Sequence, residues 1–266
     1  MEYQKEPSPP PTTLIGPAVL PFSLDIISDY LVGFNPPEGP FDPSGEWDHR
    51  YAMWLALRGA FGKSSKRGAL RVRRAVDASG GVALSVSQTT SLLDEGKTGH
   101  TTASVTCTAD KLATPKKWEI ESRILDAKGK PVDHSITRVT GEVAGGGIVL
   151  RVVADRRLKT SKAFTGSWSL FDAVQRLPFD TDPIRFDMLE DLELMKPRQV
   201  LAPGPSVEVT LGGRNVRLHS FEQTGDGILP YSYWLDDQHR LLLAVGGVRT
   251  FVWDPSVRLP EEAPAA

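Results

Sequence analysis

The feature that most constrains this chain is a two-residue alternation of apolar and polar side chains that runs through most of its length. Ala69-Leu-Arg-Val-Arg-Arg-Ala-Val76 sets apolar against basic positions, and Val82 to Thr90 repeats the pattern after the turn residues Asp77-Ala-Ser-Gly-Gly81. That period places successive side chains on opposite faces of an extended strand. Further strands are expected over 101–109, 117–126, 131–143, 147–155, 206–211, 214–223, 229–236, 240–246 and 248–253. Asp126-Ala-Lys-Gly129, Gly212-Gly213 and Asp236-Asp-Gln-His239 supply turns between them.

Two segments read differently. Phe22, Ile26, Ile27, Tyr30, Leu31 and Phe34 recur at helical spacing, which predicts a helix near 22–34. A second interruption spans 168–196. Ser169 and Asp172 have capping-box spacing, Leu170, Phe171, Val174 and Leu177 share a helical face, and Pro178 stops it. Asp182-Pro183 then reads as the start of another helix, with Ile184, Met188, Leu189, Leu192 and Met195 as its apolar stripe. The expected fold is mainly β within the α+β class: a large curved antiparallel sheet or half-barrel packed on a helical pair. Residues 1–21 are expected to be a disordered Pro-rich tail, 22–254 one antiparallel β-domain, and 255–266 a second disordered tail.

Composition narrows the function. Of 266 residues 40% are hydrophobic, enough for a core, and the net charge of −2 argues against nucleic acid as partner. No apolar run reaches the roughly 18 residues of a transmembrane helix, so no transmembrane segment is expected. Cys107 is the sole cysteine and sits in a strand pattern, the setting of a small buried side chain rather than a nucleophile; His100 is its nearest histidine in sequence. The N-terminal residues lack the order of a signal peptide, yet Ser8-Pro-Pro-Pro11 resembles the tether that follows one. A periplasmic or secreted location is expected, with a cytoplasmic one as the alternative.

The histidines, His49, His100, His134, His219 and His239, form no local metal motif, and no phosphate loop or nucleophile elbow occurs. Asp48-His49 with His219 and Glu222 is the nearest approach to a dispersed metal set, and no metal and no cofactor is expected. The chemistry-bearing text is aromatic: Gly225-Asp-Gly-Ile-Leu-Pro-Tyr-Ser-Tyr-Trp-Leu-Asp236 and Arg249-Thr-Phe-Val-Trp253. Such rings either pack a core or line a cleft for a lipid or sugar.

The hairpin Tyr233-Trp-Leu-Asp-Asp-Gln-His-Arg-Leu-Leu242, within a long meander broken by helices, resembles exported bacterial proteins of the LolA/LolB-like lipoprotein-carrier fold. That resemblance implies a curved sheet around helices with an apolar cavity. The expected function is an envelope or periplasmic carrier of an apolar or amphipathic ligand such as a lipid, lipoprotein or glycan. Phe171, Met188, Leu192, Tyr231, Tyr233 and Trp234 are the candidate ligand-binding residues. One alternative is a carbohydrate-active lyase or hydrolase using Tyr231, Tyr233, His219 and Arg217, which would have to converge in a polar groove. The other is a non-catalytic interaction module with an exposed apolar patch and no deep pocket.

Overall fold

The computed structural model describes residues 34–55, 65–78, 80–92, 96–161, 163–211, 213–246 and 249–260. The helix expected near 22–34 falls almost wholly outside them. Among the described residues sixteen strands join one sheet. Its first arm is β1 (Trp47–Leu55), β2 (Ser65–Val76), β3 (Val82–Ser91), β4 (Thr98–Cys107), β5 (Pro115–Leu125), β6 (Thr137–Ala144), β7 (Gly147–Arg151) and β8 (Asp155–Leu158). The second arm is β9 (Phe164–Gly166), β10 (Ile184–Glu190), β11 (Leu194–Pro203), β12 (Val207–Leu211), β13 (Arg214–Thr224), β14 (Tyr231–Leu235), β15 (Leu241–Gly246) and β16 (Arg249–Trp253). Each arm is a meander in chain order, and β1 pairs antiparallel with β16 to join them; β12 pairs β13 off the main path. The pairing of β9 with β10 is parallel.

The helical pair is not there. The described residues are nearly all β, 58% strand and 4% helix, with α1 (Ser169–Arg176) the one helix among them. Residues 184–203 instead form the β10–β11 hairpin. The reason lies in the spacing: Ile184, Met188 and Leu192 stand four apart, which satisfies a helical repeat and a two-residue repeat equally. The left-handed backbone at Asp191 (φ 48°) and Leu192 (φ 61°) turns the chain back, which a helix does not permit. The register shifts between Phe186 and Met188, opposite Pro197 and Arg198, so the proline occupies an irregularity where no ladder N–H is required.

The sheet rolls until its far end meets β5. Thr165 Oγ1 donates to the carbonyl oxygen of Leu112 (2.6 Å), Thr114 Oγ1 to that of Phe164 (3.1 Å), and Trp118 Nε1 to that of Leu192 (3.1 Å). Within the roll lies α1, buried from Ser169 to Gln175. The expected capping box does not form: the helix is capped at Trp168 without a side-chain bond. Asp172 is used instead as an internal tie. It accepts from Arg176 Nη2 (2.7 Å) and touches Arg74 Nε of β2 at 2.7 Å. Gln175 Oε1 accepts from the backbone N–H of Leu241 (3.0 Å), which fixes the helix to β15.

A second apolar cluster covers the outside of the second arm, where Phe34 and Leu211 pack with Leu218, Trp234, Leu242 and Val252. Residues 255–260, expected to belong to a tail, set Val257 and Leu259 against Ala52 and Ala69 on the outer face of β1 and β2.

Candidate functional site

Between α1 and the inner face of β14–β16 the packing leaves a cavity of about 350 Å³. The alternation of β14 places Tyr231 and Tyr233 on this inner side and Trp234 on the other. Phe171 enters from α1 with its ring edge-on to Tyr51 (5.4 Å), Phe251 (5.6 Å) and Tyr233 (6.4 Å). Met188 comes from β10. Of the residues singled out in the sequence, Phe171, Met188, Tyr231 and Tyr233 therefore share one cavity wall. Leu192 lies in the β10–β11 turn, fully buried beneath Trp118, and Trp234 faces the outer cluster; neither lines the cavity.

Gly246 makes the position of Tyr231 possible. It is the cross-strand partner of Tyr231, and a Cβ there would lie 2.2 Å from the ring carbon Cε2. The tyrosine is thus pressed against bare backbone, and its ring becomes wall rather than filling.

Polar groups on the wall are mostly committed to one another. Tyr233 Oη donates to Gln223 Oε1 (2.9 Å), and Gln223 Nε2 donates to Gln199 Oε1 (3.0 Å) and approaches Met188 Sδ (3.2 Å). Gln199 Nε2 in turn donates to the carbonyl oxygens of Pro197 and Asp226. Burial pushes the phenols of Tyr231 and Tyr233 well above their ordinary range, so both stay protonated near neutral pH. At the mouth stand Leu229, 57% exposed, and the half-exposed pair Arg249–Asp191, with Nη1 to Oδ2 at 3.4 Å.

Sequence reasoning missed Gln88, Trp168, Gln223 and Ile228, all of which line the cavity; Phe251, one of the rings expected either to pack a core or to line a cleft, lines it too. Gln88 had a legible signal. It continues the inward phase of Val82, Leu84 and Val86, so a polar side chain stands where the pattern calls for an apolar one.

The groups proposed for sugar chemistry do not converge. His219 and His239 stack on the two faces of Phe179, each with ring centroids 3.9 Å away; His219 stands mid-strand in β13, four residues before Gln223. His219 bonds Ser206 Oγ through Nδ1 (2.9 Å) and Asp237 Oδ1 through Nε2 (2.8 Å), and none of these groups lines the cavity. His49 packs on Trp47, while Asp48 pairs with Arg71. Among the described residues no three His, Cys, Asp or Glu side chains are grouped to hold a metal.

No family model matches the chain, and no curated protein does. Among solved structures it is similar to a β-barrel-like protein of the domain of unknown function DUF1849 from Brucella abortus. The TM-score is 0.52 at 11% identity, over 79% of this chain and 96% of that one. A DUF1089-family protein from Pseudomonas aeruginosa aligns over 78% of this chain and 94% of its own at 12% identity. Its TM-score of 0.34 is too low to support an argument. The first likeness shows the fold: a β-barrel-like sheet.

Proposed function

We propose that this protein binds an apolar or amphipathic, lipid-like molecule in the cavity beside α1, as a carrier or binding protein of the cell envelope. The cavity itself carries the reading. Protein interiors pack to the density of organic crystals, and an empty apolar space costs stability in proportion to its volume. About 350 Å³ bounded by Phe171, Met188, Tyr231, Tyr233 and Phe251 is at the lower end of ligand pockets, roughly 300–1,000 Å³. The hairpin's resemblance to lipoprotein carriers points the same way, as does the barrel-like fold.

Two observations weigh against sugar chemistry at this site. The histidines lie elsewhere, and a tyrosine whose phenol is held protonated is a poor general base.

Binding of the neutral probe N-phenyl-1-naphthylamine tests the proposal. It should fluoresce on binding the native protein, and Met188→Trp, which fills the cavity, should weaken it about tenfold, or ~1.4 kcal/mol. Leu229→Glu at the exposed mouth should weaken it without loss of stability. Equal binding by the filled variant would exclude this cavity as the ligand site. Mass spectrometry of solvent extracts from the purified protein then identifies what it carries.

A further inference from the structure

Gln88 breaks the apolar phase of β3 at the cavity wall, and its side chain is 8% exposed. Trp168 Nε1 lies 3.4 Å from Gln88 Oε1. An indole N–H only donates, so this contact decides which end of the amide is oxygen. The Nε2 end, with its two N–H groups, has no acceptor among the described residues, and Gln88 lines the cavity. Gln223, the other wall amide, differs: its oxygen takes the Tyr233 proton and its nitrogen is engaged by Gln199 and Met188. The cavity therefore presents an open donor from Gln88 beside Trp168; the Tyr231 hydroxyl is a second wall donor without an acceptor among the described residues, and Glu190, Asp191 and Arg249 also line the space.

We infer that Gln88 Nε2 receives a carbonyl oxygen of the ligand, so that the bound molecule is an apolar carbonyl compound (a ketone or a fatty acyl group) rather than a plain hydrocarbon. A buried donor is satisfied in the free protein by water, and a ligand that cannot replace that bond binds with a loss. A site built to hydrogen-bond discriminates far more sharply than one that only encloses. Tyr233, its hydroxyl spent on Gln223, then acts as wall, and Gln88, the amide beside Trp168, as the residue that selects. This rests on the cavity being the ligand site.

A matched pair of probes tests it: 2-acetylnaphthalene and 2-isopropylnaphthalene, which carry the same number of non-hydrogen atoms and differ in the carbonyl. Titration calorimetry on the whole chain should show the ketone bound more tightly. Gln88→Leu should weaken the ketone about tenfold and change the hydrocarbon by less than about twofold. Infrared spectroscopy of the ketone bound to the native protein provides a second reading that does not depend on the variant folding. Its carbonyl stretch should lie below the value in an alkane solvent, as for a hydrogen-bonded carbonyl. A free-carbonyl frequency, or an equal response of both probes to Gln88→Leu, would overturn the role of Gln88 and leave the cavity intact as a binding site. Failure of both probes to bind the native protein would remove the cavity reading and this inference together.

Discussion

The indole of Trp118 occupies the space above Gly141, its cross-strand partner, while its N–H donates across the interior to the carbonyl oxygen of Leu192. One side chain thereby links β5 and β6 to the β10–β11 turn, near the opposite edge of the sheet. A Cβ at position 141 would stand 2.1 Å from Trp118 Cε2, so Gly141→Ala must displace the indole and strain that bond. The variant should lose about 1–3 kcal/mol, read as a lower urea midpoint with an unchanged slope.

The carboxylate of Asp172 is fully buried between Arg74, 4% exposed, and Arg176. The 2.7 Å approach to Arg74 Nε is a charge contact rather than an aligned hydrogen bond, since neither atom finds a well-directed partner. Removing the negative charge strands a buried guanidinium. Asp172→Asn should therefore cost about 3–5 kcal/mol, measured by denaturant unfolding, whereas adding salt to the native protein should change little.

Burial, with the charge of Arg240 second, pushes the His49 imidazole down from its ordinary 6.5 to about 3. The unfolded chain takes up this proton below about pH 6.5 and the folded chain does not, so the unfolded state binds more protons in that window. Stability is full above it and falls as the pH drops from 6.5 toward 3. In His49→Phe, which keeps the stacking on Trp47, the stability–pH curve should be flatter over that interval.

Burial pushes the Cys107 thiol up to about 12, and its sulfur lies 3.9 Å from Ser169 Oγ inside the roll. The native protein should not react with Ellman's reagent at pH 8, and one equivalent should react after unfolding. Fast labelling under native conditions would place the thiol outside the core.

The meander was legible because turn residues and two-residue alternation agree, as at Asp77–Gly81, where Gly80 N–H donates to the Asp77 carbonyl oxygen (2.9 Å). The β10–β11 hairpin was not legible. Its apolar residues fall on positions that serve two periodicities, and its turn uses Asp191 and Leu192 rather than glycine in left-handed conformations. Four wall residues could be anticipated from bulk and phase. Leu192 and Trp234 could not: Leu192 belongs to a turn that its helical spacing conceals, and Trp234 stands one residue out of phase with Tyr231 and Tyr233, which turns it to the outer cluster. Gln88 shows a further limit. Its polarity marks it in the sequence, but only the position of Trp168 assigns which amide end is left open.

The pairing of β1 with β16 has a consequence for how the protein is made. Residues such as Met53 and Phe251 become neighbours across almost two hundred intervening positions, whereas the pairings within each arm join strands close in sequence. Synthesis must therefore deliver nearly every described strand before the two arms can be stitched, so the early arm waits with an unmatched edge. Slow closure, a need for protection from aggregation during that wait, and sensitivity to any loss of the last strand all follow from that single seam.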